Sequence, residues 1–182
     1  MGRFEEVNAP VLRHYAVAFR QIQEHSWPDA EVESSLSDET IGSLADDALV
    51  AHFAELLDRL RKRYPSIRVF WKDSNLDYVG SCEGFAKDSG VGTVEALIGL
   101  NDLSPQVAWI RQGAKYRRDD RAVMNSRAPK LDILERQDVE GAVLWLRTSK
   151  APVLSEGKVI GMIGAYDIID EAEAKHLGVG QL

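Results

Sequence analysis

The hydrophobic pattern of the chain changes its period at the Tyr64-Pro65 step. Before this step, apolar residues recur every three or four positions, which is the spacing of one face of an α-helix. The apolar residues of two such helices are Leu12, Tyr15, Phe19 and Ile22 in the first, and Leu49, Phe53, Leu56 and Leu60 in the second. The first helix is predicted over residues 10–25, and the second ends at the basic residues 61–63, which suit a helix C-terminus.

Residues after Pro65 form short strand-like runs separated by turn residues. The runs cover residues 67–71, 76–81, 130–137, 142–149 and 159–166, with short helical segments between the second and the third. Long alternation of strands and helices is missing, so a doubly wound nucleotide-binding fold is not expected. The order predicts an α+β fold: a five-stranded antiparallel sheet with short helices on one face, preceded by an N-terminal helical segment.

The composition argues against several classes of binding partner. The chain has 182 residues, of which 45% are hydrophobic, so it can bury a core. It carries 22 Lys and Arg against 29 Asp and Glu, a net charge of -7, and the expectation is therefore no nucleic-acid partner. No stretch approaches the roughly 20 apolar residues that span a bilayer, so we expect no membrane partner. A single cysteine, Cys82, forms no intramolecular disulfide and fits a reducing cytoplasm.

Several runs after Pro65 resemble parts of PAS sensor domains, in the same order. Residues 69–80, VFWKDSNLDYVG, are similar to the opening hairpin, and residues 84–86 and 94–99 resemble the short helices that follow. Residues 114–124 resemble the long central helix. Residues 145–152 and 157–168 are similar to the last two strands and the terminal Asp-Ile-Thr motif, although Ile169 stands where relatives have Thr. The resemblance covers residues 67–170.

The resemblance implies a division of the chain into three parts. Residues 1–65 are expected to form an N-terminal helical extension, residues 66–170 the sensor domain, and residues 171–182 the start of an output helix or a tail. In this family, Asp167 and Ile168 at the end of the last strand are expected to relay a signal to that helix. The effector, a domain or a separate protein, is expected outside this chain.

The identity of a cofactor is unknown from the sequence, but two chemistries are argued against. Heme in PAS sensors commonly needs an axial histidine, and all four histidines (His14, His25, His52 and His176) lie outside residues 67–170. Flavin photochemistry of the light-oxygen-voltage type needs a reactive cysteine in an Asn-Cys-Arg motif, which the corresponding region lacks. No residue pattern predicts a metal site.

Apolar and aromatic side chains of one strand parity are candidates for lining a cavity between the sheet and the short helices. The candidates are Trp71, Tyr78, Phe85, Trp109, Tyr116, Leu144, Leu146, Thr148, Met162 and Tyr166. The hydroxyl of Thr148 would then be a polar group in an apolar pocket. The alternative is that these side chains only fill a core and that Thr148 bonds to the backbone.

The N-terminal helices need a partner surface, because helices of about 15 residues are marginal alone in water. PAS relatives often dimerise through such flanking helices, so the eight apolar residues named above, Leu12 to Leu60, are candidates for a homodimer interface with twofold symmetry. The alternative is that they cap the sheet within one chain.

Two functions therefore compete. The first is a sensory module that binds a small molecule and relays a conformational change to an effector in signal transduction. The second is a ligand-free module for dimerisation or protein interaction. No catalytic constellation is found, so the chain is not expected to be an enzyme.

Overall fold

The computed structural model of the chain describes residues 9–28, 37–139 and 141–178. Its five strands are β1 (Arg68–Asp73), β2 (Tyr78–Ser81), β3 (Lys130–Val139), β4 (Ala142–Ser155) and β5 (Lys158–Ile169). They form one sheet in the order β2-β1-β5-β4-β3, and every neighbouring pair is antiparallel. The predicted α+β fold with a five-stranded antiparallel sheet is confirmed.

Seven helices accompany the sheet in the described residues. They are α1 (Ala9–Ser26), α2 (Asp38–Ser43), α3 (Asp46–Arg63), α4 (Glu83–Asp88), α5 (Val94–Leu97), α6 (Gly113–Ser126) and α7 (Glu171–Gly178). Ser37 caps the N-terminus of α2, because its side-chain oxygen accepts a hydrogen bond from the backbone N–H of Thr40. No described helix is both long and apolar enough to cross a membrane.

The two faces of the sheet are covered by different helices. On one face, side chains of α1 and α3 form an apolar core with residues such as Val69, Ile163 and Ala165. On the other face, α4, α5 and α6 pack over Phe70 and Met162. Residues 69 and 70 belong to opposite cores because successive side chains of a strand point to opposite faces. The short helices lie on one face, as predicted, and the N-terminal helices close the other.

The eight candidate residues for a dimer interface lie in the apolar core between α1, α3 and the sheet. Each is at most 2% exposed in the single chain. The Phe19 and Phe53 rings meet edge to face at 5.5 Å, and the Phe53 ring lies 6.1 Å from that of Trp71. As placed, these side chains offer no surface to a second subunit, because the sheet already covers them. In the single chain these side chains cap the sheet, and their role in a homodimer interface stays a prediction.

Candidate ligand pocket

An aromatic cluster lies between the sheet and helices α4 to α6. Phe85 of α4 is at its centre, stacked on Phe70 of β1 with 4.6 Å between ring centroids. The rings of Trp109, Tyr78 and Tyr166 surround Phe85 at 5.1, 5.5 and 6.0 Å. Beside this cluster is a cavity of about 30 Å³. A buried water needs about 10–15 Å³ on this scale, so the cavity has room for about two waters.

Two buried lysines extend from the sheet toward the same cavity. Lys72 of β1 and Lys150 of β4 have side chains only 2% exposed. The Lys72 ammonium lies 2.6 Å from Asp102 Oδ2 and 2.6 Å from Asp120 Oδ2, and the Lys150 ammonium lies 2.8 Å from Asp120 Oδ1. Asp120 of α6 therefore bridges the two lysines and ties its helix to β1 and β4. Buried charges require such pairing.

Asp102 joins the loop before α6 to the aromatic cluster. Its Oδ1 accepts hydrogen bonds from the Tyr78 hydroxyl at 2.5 Å and from Trp109 Nε1 at 3.1 Å, while Oδ2 receives Lys72. Burial raises the pKa of the Tyr78 hydroxyl well above its usual value, and the neighbouring Asp102 charge raises it further. Tyr78 therefore acts as a hydrogen-bond donor throughout the physiological pH range.

Glu135 of β3 is the acidic group of the cavity that is not fully hydrogen-bonded. Its Oε2 accepts a hydrogen bond from the Thr148 hydroxyl at 2.8 Å. No donor among the described residues makes a hydrogen bond to Oε1, although the ammonium groups of Lys150 and Lys115 lie 3.6 and 3.8 Å away. The residue is 5% exposed. A buried acceptor without a donor is costly, so this atom marks a polar position that a bound group would satisfy.

The charge states of the network follow from its pairings. Burial alone would raise the pKa of the Asp120 carboxyl, but the ammonium groups of Lys150 and Lys72 outweigh burial and hold that pKa below its usual value. Burial alone would lower the pKa of Lys150, but the charges of Asp120 and Glu135 hold it above its usual value. Asp120 and Lys150 thus keep their charges at neutral pH although both side chains are buried.

The predicted pocket residues divide into two groups. Six line the cavity: Tyr78, Phe85, Trp109, Tyr116, Leu146 and Tyr166. Of the others, Met162 packs in the same core and Thr148 binds Glu135. Leu144 is partly buried against this core and also lines a separate groove at the ends of β3 to β5. A role of these residues in binding a ligand stays a prediction.

The placement of Trp71 corrects one expectation. Trp71 packs with α1 and α3 on the opposite face of the sheet, because it alternates with Phe70 and Lys72, which face the cavity. Its ring lies directly against Gly80 of β2, where an added Cβ would come within 2.4 Å of the indole. Trp71 therefore belongs to the cap and not to the pocket.

The sequence does not predict the charged residues of the pocket, nor Asp120, which pairs with its two lysines. Lys72, Asp102, Asp120, Glu135 and Lys150 were not among the candidates. The alternation of side chains along a strand indicates part of this arrangement. Lys72 points to the same face as Phe70, and Lys150 points to the same face as Leu146 and Thr148. The positions of the acids depend on how the loop and α6 fold back over the sheet, and the local pattern does not indicate that.

The predicted relay residues lie where β5 passes to α7. Asp167 Oδ2 accepts hydrogen bonds from Trp27 Nε1 at 3.2 Å and from the Arg147 guanidinium at 3.1 Å. The same guanidinium donates to Glu173 of α7 at 3.3 Å. Ile168 packs against the pocket-side core. Asp167 thus connects Trp27, the residue after α1, with Arg147, which also contacts α7, while its role in signalling stays a prediction.

Among the described residues, no group of three or more His, Cys, Asp or Glu side chains is arranged to hold a metal ion.

Comparison with solved structures identifies the fold. The chain is similar to VqmA of Vibrio cholerae in a ligand and DNA complex, with 21% identity over 63% of this chain and a TM-score of 0.54. It is also similar to a phage VqmA in complex with DPO (17% identity over 72% of this chain, TM-score 0.54). A light-oxygen-voltage domain matches with 17% identity over 70% of this chain, 93% of that domain and a TM-score of 0.50.

These likenesses define the class of protein: the described chain has the PAS fold. The chain spans 50% and 60% of the length of the two VqmA structures. No protein-family model matches the chain, and no curated protein matches it.

The expectation that nucleic acid is not a partner is contradicted. The structural neighbours include VqmA in complex with DNA, and VqmA is described as a receptor of the LuxR type with a DNA-binding mechanism. The net charge of -7 does not decide this point, because it is a sum over the whole chain. Such a sum does not exclude that this fold forms part of a protein that contacts DNA.

Proposed function

We propose that this chain is the sensory module of a signalling protein and that it binds a small molecule between the sheet and helices α4 to α6. The observation that carries the proposal is the aromatic cavity, whose lining includes Glu135 with a buried Oε1 that accepts no hydrogen bond from the described residues. Apolar, aromatic walls with a few convergent polar groups are the usual composition of small-molecule sites. The PAS fold and its ligand-binding neighbours support the same function.

The relay in this proposal runs along β5. Tyr166 lines the cavity, and the next residue, Asp167, contacts Trp27 and Arg147 on the other face of the strand. A shift of β5 on ligand binding would therefore change the contacts of α1 and α7 together. We expect the effector to follow from α7 or to be a separate protein. Because VqmA acts on DNA, a DNA-binding effector is included in the proposal.

Native mass spectrometry of freshly purified protein tests the proposal, together with an absorbance scan through the near-ultraviolet and visible range. A bound mass of metabolite size is expected, and the absorbance tells a coloured cofactor from a colourless ligand. If the protein is empty, and no compound of a metabolite library changes its melting temperature, the sensory proposal is wrong.

A second candidate is the ligand-free interaction module. It is favoured by the size of the cavity, since about 30 Å³ leaves no room for an organic molecule in the observed conformation. The two functions differ in one observable. A ligand sensor changes its pocket-side amide signals in NMR when the ligand is added, whereas an interaction module shows changes only when a protein partner is added.

A further inference from the structure

Tyr15 of α1 carries a buried polar group that the proposed ligand site does not use. The residue is 2% exposed and belongs to the apolar core between α1, α3 and the sheet. Its hydroxyl donates a hydrogen bond to the backbone carbonyl of Lys72 at 2.9 Å. Burial raises the pKa of this hydroxyl above its usual value, and the neighbouring Asp73 charge raises it further, so the hydroxyl is a donor at neutral pH. A phenylalanine would supply the same apolar packing, so the hydroxyl adds a directed bond from α1 to β1.

Gly161 of β5 leaves the space that this bond occupies. A Cβ at position 161 would clash with both the Tyr15 hydroxyl oxygen and the Lys72 carbonyl oxygen. In the register of the sheet, Gly161 is the partner of Asp73, the residue after Lys72. Glycine in a strand permits such a close approach, because it has no side chain. The hydroxyl, the carbonyl and the glycine therefore form one closely fitted contact.

Lys72 is also held from the opposite face of the sheet. Its ammonium lies 2.6 Å from Asp102 Oδ2 and 2.6 Å from Asp120 Oδ2, and its side chain lines the cavity. One residue is thus fixed through its side chain to the pocket-side network and through its carbonyl to α1. Coupling between two sites can be carried by a continuous series of such ion pairs and hydrogen bonds. Lys72 supplies that continuity across the sheet.

We propose that Lys72 and Tyr15 couple the ionic network of the cavity to helix α1. A change in the ion pairs of the Lys72 ammonium, such as a bound ligand would cause, moves the backbone at residue 72. The Tyr15 hydroxyl follows the carbonyl, because a buried hydroxyl that loses its acceptor is costly. The use of this coupling in signalling rests on the proposed sensory function. It adds a route that starts at β1 and ends at α1, separate from the relay along β5.

Trp109 is a natural reporter of this coupling on the pocket side. Its Nε1 donates to Asp102 Oδ1, and Oδ2 of the same carboxylate receives the Lys72 ammonium. Trp109 and Tyr15 belong to the two different cores, on opposite faces of the sheet. A displacement of Lys72 therefore changes the surroundings of the Trp109 indole N–H, and NMR observes that group directly.

The test is the indole region of the nitrogen–proton NMR spectrum of the intact chain, which has four tryptophans. Tyr15→Phe removes the hydroxyl and keeps the ring. We expect this variant to move the indole signal of Trp109 and to leave that of Trp145, which lines the separate groove at the ends of β3 to β5, in place. The control Phe19→Leu changes packing in the same core as Tyr15 but keeps the hydroxyl. It should leave the Trp109 signal in place.

The reverse experiment perturbs the network and observes α1, because coupling between two sites is reciprocal. Asp102→Asn removes one of the two charges that hold Lys72, so we expect the amide signals of α1 around Tyr15 to shift. Asp119→Asn in α6 is the control, since Asp119 pairs with Lys115, and it should leave the α1 signals in place. In the double variant with Tyr15→Phe, the response of α1 to Asp102→Asn should be lost.

An unmoved Trp109 signal in Tyr15→Phe overturns the inference. An equal movement in Phe19→Leu also overturns it, since that would show a general loosening of the core. If Tyr15→Phe does not fold, the comparison of Asp102→Asn with Asp119→Asn decides, and equal responses of α1 refute the coupling.

These experiments need no ligand, so failure of this inference and failure of the sensory proposal are distinguishable. A ligand found by native mass spectrometry, together with an unmoved Trp109 signal in Tyr15→Phe, would leave the sensory function standing and refute the coupling. A moved Trp109 signal in a protein that binds no compound of a metabolite library would support the coupling and refute the sensory function.

Discussion

The two faces of the sheet bury different kinds of side chain. The face covered by α1 and α3 is filled by interlocking apolar side chains such as Phe19, Phe53 and Leu56. The face covered by α4 to α6 encloses aromatic rings around a nearly dry network of two lysines and three acids. Apolar packing stabilises in proportion to buried area, whereas a buried ionic network gains little net stability and fixes geometry. The apolar face therefore contributes more of the net stability, and the ionic face fixes the position of α6 on the sheet.

Removing one member of the ionic network should have the largest effect on folding. Asp120→Ala leaves Lys150 with only the 3.6 Å contact to Glu135 and Lys72 with Asp102 alone, in a dry site, so we expect a loss of about 3–5 kcal/mol in the free energy of unfolding. Denaturant unfolding monitored by circular dichroism measures this loss. The control is Asp119→Ala next to it, which removes a partly exposed pair with Lys115 and should cost less than about 1 kcal/mol. Similar costs for both variants would contradict the burial of Asp120 between the two lysines.

Truncation on the apolar face should be costly for another reason. Leu56→Ala removes a fully buried side chain between α3 and the sheet, and a loss of about 2–5 kcal/mol is expected from lost burial and the cavity left behind. Val17→Ala on the exposed side of α1 is the matched control and should change stability by less than about 0.5 kcal/mol. Equal effects would mean that α1 and α3 do not cap the sheet in solution.

The pH dependence of stability should differ between variants on the two faces of the sheet. The folded pKa of Asp120 is held below its unfolded value of about 3.9, so its stabilising contribution is complete above that value and is lost as the pH falls through the folded pKa. The stability difference between the natural chain and Asp120→Asn should therefore shrink below about pH 4. The corresponding difference for Leu56→Ala should stay constant, because that side chain does not titrate. Parallel pH profiles for both variants would count against a charged Asp120.

The smallest effect is expected at the junction of β5 and α7. Trp27→Phe removes the indole donor to Asp167 Oδ2 and keeps an aromatic ring, so a loss of about 0.5–1.5 kcal/mol is expected. Hydrogen exchange should become faster in α7, because Arg147, which binds both Asp167 and Glu173, loses part of its support. Glu55→Gln on the exposed side of α3 should leave exchange in α7 unchanged. Unchanged exchange in Trp27→Phe would argue that the junction does not link α1 to α7.

The end of β4 is not predicted by the local sequence pattern. The sequence predicts a strand over residues 142–149, but β4 continues to Ser155 and contains Pro152. Proline lacks the N–H that a central strand needs, which makes a strand end near this position a reasonable prediction. Beyond Lys150, however, β4 pairs only with β5, so the missing N–H of Pro152 costs no hydrogen bond to β3. The boundary depends on where the neighbouring strand ends.

The sequence predicts the apolar and aromatic residues of the candidate site. Tyr78, Phe85 and Tyr166 follow from strand parity and from the order of the helices, and they line the cavity. Its ionic half was not predictable, because Asp102 and Asp120 look like ordinary acids of a loop and a helix. Their burial becomes evident only when α6 is laid across β1 and β4.

The sequence by itself determined the period of each segment, and with it the helices, the strands and the side of the sheet to which each strand residue points. These properties are local, because they depend on the geometry of three or four neighbouring residues. Tertiary structure alone decided that Lys72 meets Asp120 across 48 positions and that the N-terminal stripes cap the sheet. Contacts between distant residues depend on packing the whole chain, and a buried charge is tolerated only where that packing supplies its partner.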